Sequence, residues 1–298
     1  MKGSRFLGCF AASVILGACA GNALQQGSPQ SLPSVERAAG RSLVYISDEK
    51  NNLVAVFNRS GSQVATIRTG LNYPQGVFID GGGNLWVANE AAGNVLEYAP
   101  GASSPSQTLH DDKNLPSDVT MCPDGTVYVA NVFSPRGGGD ITVYPAGRTR
   151  AARTLTFDGS PMTFVTCDKH GNVFSTGVLG TFGTVFAFAG GRQAQAKQLP
   201  ISGSGNLGGI KVDAAGNLLV DDGFARTVTE YTEAGSATGV SIATDGWDDI
   251  ALDAAGATLF GAGGTQGTAV TFPGGTHVRN YNSSDFSAVI GIAVSPSR

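Results

Sequence analysis

The stretch "GNLWVANEAAGNVLEYAP", from Gly83 to Pro100, reads as two short strands around a small polar turn, and it recurs along the chain. Equivalents of its "LWVAN" are "LVYIS" at 43, "LWVAN" at 85, "VYVAN" at 127, "VFSTG" at 173, "LLVDD" at 218 and "TLFGA" at 258. The spacings are 42, 42, 46, 45 and 40 residues. A tight glycine turn precedes each copy ("AAGRS", "DGGGN", "CPDGT", "DKHGN", "DAAGN", "DAAGA"). Before each turn but the first lies another apolar strand: "GVFID" at 76, "DVTMC" at 118, "TFVTC" at 163, "GIKVD" at 209 and "DIALD" at 249. A third strand follows each copy ("VLEYAP", "ITVYPA", "TVFAFA") and then a more polar fourth ("SQTLHD", "ARTLTF", "HVRNYN"). Four strands in a period of roughly 40–50 residues are the signature of a propeller blade.

The early strands of each unit are apolar on both faces, whereas the fourth is polar. That gradient suits a blade whose inner strands are sandwiched between neighbours and whose last strand lies at the rim. The termini set the blade count. The first copy has no inner strand before it, and "VIGIAVS" at 289–295 ends the chain with the inner-strand pattern. The expected fold is therefore all-β: a six-bladed propeller of four-stranded antiparallel blades, closed by pairing 289–295 into the first blade. Charged residues make up 14% of the chain and glycines number 43, which fits a turn-rich β protein. The net charge of -4 offers no basic field for nucleic acid. The one basic cluster, Arg148, Arg150 and Arg153, reads as a charge-protected edge strand.

"YPQGVFIDGGGNLWVANEAAGNVLEYAP" resembles the NHL-type repeat: proline and glycine lead the inner strand, then a D-x-x-G-N turn, then "LWVAN". It is also similar to the repeats of streptogramin lyases and of the regucalcin/gluconolactonase (TolB-like) group. The resemblance covers nearly all of 38–298 and implies the six-bladed architecture. The G-H and W-D signals of WD40 repeats are absent.

The N-terminus reads as an export signal, with Lys2 and Arg5 followed by an apolar stretch from Phe6 to Gly17. Leu16-Gly17-Ala18-Cys19 resembles the lipobox of bacterial lipoproteins, which implies cleavage before Cys19 and lipidation of that cysteine. Ala18-Cys19-Ala20 also fits an ordinary secretory site. Both readings place the mature chain outside the cytoplasm; the lipobox reading anchors it in the cell envelope, at the outer membrane if the cell has one. The expected domains are a signal peptide at 1–18, a Gly/Ser/Gln/Pro-rich flexible tether at 19–37 and a propeller at 38–298.

Propellers place function on loops at the axial mouth of a rigid ring. Loops entering the inner strands and loops leaving the second strands share one face. That face gathers Asp48, Asn89, Glu90, Asp118, Asn131, Asp221, Asp222, Asp248 and Asp249. Such oxygen ligands suit Ca²⁺ or another divalent metal, and hydrogen bonding to sugars. Asp and Asn also favour strand ends for local backbone reasons. Trp247 and Phe224 lie on the same loops, placed either to line a shallow pocket or to pack the loops down.

The lactonase resemblance implies a glutamate leading an inner strand, with an asparagine and an aspartate, around one divalent metal. Asn131 with Asp221 or Asp249 stands in for the latter two, and no inner strand begins with Glu. Streptogramin lyases rely on a histidine base. The register puts His110 and His277 on rim strands and His170 in a turn on the opposite face. The expectation is thus an envelope binding or scaffold module that takes a protein, glycan or small ligand at its mouth. The alternative is a metal-dependent lactonase, and no cofactor is required by the first reading. Cys122 and Cys167 read as one register position in adjacent blades, where other copies have Asp80, Asp213 and Asp253. In an exported protein that suggests a blade-to-blade disulfide, with two buried thiols as the alternative.

Overall fold

A computed structural model describes residues 42–111 and 114–295. The signal peptide, the tether and Cys19 lie outside these residues. The described chain forms six four-stranded antiparallel sheets, five of them built from one sequence repeat each. The second blade, for example, runs Pro74–Ile79, Leu85–Asn89, Asn94–Tyr98 and Gln107–His110 in spatial order. The inner strands of blades three to six are Leu115–Met121, Met162–Cys167, Ile210–Val212 and Asp249–Leu252.

The first blade takes its inner strand from the other end of the chain. Val289–Val294 pairs antiparallel with Leu43–Asp48, bringing Val44 opposite Val294 and Ile46 opposite Ile292. The seam is reinforced by side chains: Ser42 Oγ donates to the Ser295 carbonyl, and Leu43 N–H donates to Ser295 Oγ at 2.7 Å.

The apolar core is six layers, one between each pair of neighbouring blades. Strand alternation sends successive side chains to opposite faces. In Leu53–Asn58, Val54 and Val56 pack toward blade two beside Val87 and Tyr98. Leu53, Ala55 and Phe57 pack the other way, against Phe260 and Tyr281 of blade six. The same division repeats between blades two and three around Trp86 and Tyr144, and between three and four around Tyr128 and Phe186. It continues between four and five around Phe174 and Leu218, and between five and six around Leu219 and Leu259.

Cys122 and Cys167 form a disulfide between blades three and four, with Cα atoms 5.4 Å apart, inside the usual range for such a bridge. Their registers differ by one residue from the sequence reading. Cys122 opens its turn by bonding Thr126, as Asp80 bonds Asn84, but in blade four Asp168 plays that part with Asn172. Cys167 is therefore the last strand residue before its turn, in line with Ile79 and Met121.

Because the bridge ties two blades, replacing both cysteines with serine is expected to lower stability by about 2–4 kcal/mol. Denaturant unfolding of the oxidised protein, with and without reductant, checks this. Reductant should destabilise the wild type and leave the double variant unchanged.

Candidate functional site

At one end of the ring axis lies a cavity of about 410 Å³. Each inner-strand start contributes one lining residue: Ile290, Gln75, Ser117, Thr163, Gly208 and Asp248. The other walls come from neighbouring loops, which supply Glu90, Phe224 and Trp247, and from Phe164 of the blade-four inner strand. Trp247 is buried in the wall and Phe224 stands exposed at the rim.

Hydrogen bonds between blades hold this mouth in shape. Ser47 Oγ donates to the Gln75 carbonyl, Ser117 Oγ to the Thr163 carbonyl at 2.7 Å, and Thr176 Oγ1 to the Gly208 carbonyl at 2.9 Å. Gly209 N–H donates to the Asp248 carbonyl at 2.9 Å.

The nine sequence candidates separate into three groups. Glu90 and Asp248 line the cavity. Asp118, Asp221 and Asp249 are fully buried in the wall and axis. The remaining four organise loops. Asp48 accepts backbone N–H groups from Asn51, Ser287 and Ala288. Asn89 accepts from Asn72 N–H and donates to the Gly70 carbonyl and to Asn94. Asn131 donates to Asp140 and Thr142, and Asp222 accepts from Ser204 and Ala225. Of the sequence set for a metal, Asn131, Asp221 and Asp249, the two aspartates lie close enough for Asp249 to repel Asp221. Asn131 is bonded within its own blade, and Asp249 is bonded to Ile292 N–H and paired with Lys211. Among the described residues, no three His, Cys, Asp or Glu side chains gather into a group that could hold a metal ion.

The axis holds a residue the sequence reading passed over. Lys211 Nζ lies 3.6 Å from Asp249 Oδ1, with its side chain only 19% exposed. Burial works against its ammonium, but Asp249 and Asp118 together outweigh that penalty and raise its pKa. Burial likewise pushes both carboxyls up, against the pull of Lys211 and of backbone N–H donors. Those donors tie blades together: Val165 N–H of blade four bonds Asp118 of blade three, and Ile292 N–H of blade one bonds Asp249 of blade six. Glycines make room for the carboxylates. A Cβ on Gly76 would collide with Asp118, and one on Gly209 would sit 2.5 Å from Asp249 Oδ1. A lysine inside the apolar strand "GIKVD" was the available signal, since an unpaired lysine is almost never buried.

Asp221 is different, because neither carboxyl oxygen has a hydrogen-bond partner and the residue is fully buried. Its Oδ2 occupies the space a Cβ on Gly208 would need, directly behind the cavity lining. Burial, then repulsion from Asp248, Asp249 and Asp222, pushes its pKa up to about 9, so it is protonated at neutral pH. Asp248 opens into the cavity, yet partial loss of hydration, then Asp249 and Glu49, push it up to about 6. Glu90 is raised by burial and by Glu49.

Fold and mouth together define a six-bladed β-propeller with an axial cavity large enough for a ligand. No protein-family model matches the chain, and no curated protein matches it in sequence. Solved structures do share the fold. One is the nidogen/laminin complex, with a TM-score of 0.71 at 12% identity over 86% of this chain and 99% of the other. A protein of unknown function from Desulfotomaculum acetoxidans aligns with a TM-score of 0.62 at 14% identity, over 86% and 99%. A catalytically inactive virginiamycin B lyase from Staphylococcus aureus, solved with quinupristin, aligns at 0.57 with 14% identity, over 80% of each chain. The chain is thus a β-propeller; at these identities the likeness speaks to fold alone.

Two outcomes are expected from the buried charges. A carboxyl with a raised folded-state pKa stabilises the fold at low pH, and that contribution is lost as pH rises from about 4 to about 9 for Asp221. Asp221→Asn escapes that loss, so its stability relative to wild type should climb by about 1.4 kcal/mol per pH unit between pH 4 and 8. Urea unfolding at both pH values measures this. Lys211→Met leaves two buried carboxyls without their cation and should cost about 3–5 kcal/mol near pH 7.5. The loss should shrink in acid, where the carboxyls take up protons.

Proposed function

We propose that this chain is an exported, membrane-tethered propeller that serves as a binding module of the cell envelope and holds its partner at the axial mouth. The observation that carries the reading is the cavity itself, to which every blade contributes a residue. A cavity built at the centre of a rigid ring is preformed, so little ordering is needed on binding. Nidogen, a propeller of similar fold, is seen in a complex with laminin, which supports a protein as the partner.

Two features support export. The Leu16-Gly17-Ala18-Cys19 sequence suits lipidation at Cys19. The Cys122–Cys167 disulfide suits an oxidising compartment.

Fractionation of the native host tests the tether. Wild-type protein should sediment with membranes and incorporate labelled fatty acid, and Cys19→Ala should do neither. Photo-crosslinking in intact cells tests the mouth. A crosslinker replacing Glu90 should give a discrete protein adduct, while one replacing Arg279 on the rim of blade six should not. Adducts from the rim alone, or from neither position, would sink the reading.

A further inference from the structure

The mouth face is chemically divided. Three phenylalanines stand exposed on this side of the ring: Phe224 at 74%, Phe182 at 62% and Phe133 at 49%. Each sits at the hairpin joining the second and third strands of its blade, and the blades are consecutive: five, four and three. The equivalent hairpins of blades one, two and six hold no large apolar residue; they read Glu49-Lys50-Asn51-Asn52, Glu90-Ala91-Ala92-Gly93 and Gly263-Gly264-Thr265. An arc of three exposed aromatic rings on half a rim is more than scattered surface apolarity. It continues inward, because Phe224 also lines the cavity, as do Phe164 and Trp247.

The other half of the mouth is acidic. Glu90 of blade two and Asp248 of blade six line the cavity, and no lysine or arginine does. Glu49 of blade one stands behind them, bonded at 2.9 Å by Gln75 Nε2. Its charge repels both Glu90 and Asp248. Lys211, the base deeper in the axis, is taken up by Asp249 and Asp118. Lys50, Arg136 and Arg226 lie on hairpin tips and not in the cavity lining. Carboxylates held together in a partly dehydrated wall are strained by mutual repulsion, and a cation among them relieves it. Aromatic faces beside them favour the same occupant.

Resting on the mouth as binding site, we infer that its occupant is a protein segment that inserts a lysine or arginine side chain between Glu90 and Asp248 and lays flanking apolar residues on the Phe224–Phe182–Phe133 arc. A neutral ligand would leave the carboxylate repulsion in place, and an anionic membrane surface would add to it.

Panning a phage-displayed library of random peptides on the detergent-solubilised full-length protein tests this. Recovered sequences should be enriched in Lys or Arg next to Phe, Leu, Trp or Met. Their affinity should fall at least about tenfold in Glu90→Gln/Asp248→Asn, and several-fold in Phe224→Ser, with unchanged melting temperature. It should also weaken as salt is raised. Enrichment of acidic or neutral peptides, or affinity indifferent to the carboxamide pair, would overturn the inference. So would Phe224-dependent binding to phosphatidylglycerol vesicles with no basic peptide recovered. If a crosslink from position 90 persists in these failures, the mouth remains the site and only its charge chemistry is wrong. Loss of that crosslink as well would remove both.

Discussion

Each blade of this protein has two apolar faces, and a single sheet cannot bury both against itself. That constraint governs the rest of the structure. Only a ring gives every blade two neighbours, and of the six interblade layers the one between blades six and one exists only when the ring is closed. Closure depends on a short pairing between residues some 250 positions apart, Val289–Val294 with Leu43–Asp48. Without it, the faces of blades one and six that carry Phe57, Phe260 and Tyr281 would be open to water. At roughly 25 cal/mol for each Å² of apolar surface, exposing such a layer costs several kcal/mol.

The centre of the ring poses the opposite problem. Six strands converge there with little room, and their polar backbone ends need partners. The chain answers with small residues and with side-chain oxygens that reach across to the next blade. Ser47, Ser117, Thr176, Asp118 and Asp249 all bond the backbone of a neighbouring blade. The two aspartates bring negative charge into the axis, and Lys211 balances it. Asp221 has no such partner and stays buried as the neutral acid. The axis is therefore a structural device, with the cavity lying above it.

That division of labour explains how propellers as dissimilar in sequence as nidogen and virginiamycin B lyase align with this chain. Interblade packing asks only for apolar residues of suitable size at alternating positions, which many sequences satisfy. The hairpins at the mouth carry no such burden. Phe133, Phe182 and Phe224 on three of them, and Glu49 and Glu90 on two others, differ from blade to blade without disturbing the core.

The sequence alone determined the repeat, the blade count, the closing strand and the face on which a site would lie. These follow from local periodicity and turn chemistry, which neighbouring residues settle between themselves. That Gln75, Ser117, Thr163, Gly208, Asp248 and Ile290 line the cavity from the inner-strand starts emerges only from the structure. The sequence could not say which candidate carboxylates open into the cavity. Asp248 and Asp249 are adjacent, yet one opens into the cavity and the other is sealed against Lys211, because strand alternation and the approach of the next blade decide between them. Asn131 and Asp221 look alike as strand-end residues, but one is bonded within its blade and the other is left without a partner. The pairing of Cys122 with Cys167 was open for the same reason, since the distance between adjacent inner strands is a property of the closed ring. Local sequence wrote the blades; only their packing around a crowded axis determined which polar groups became structure and which open into the cavity.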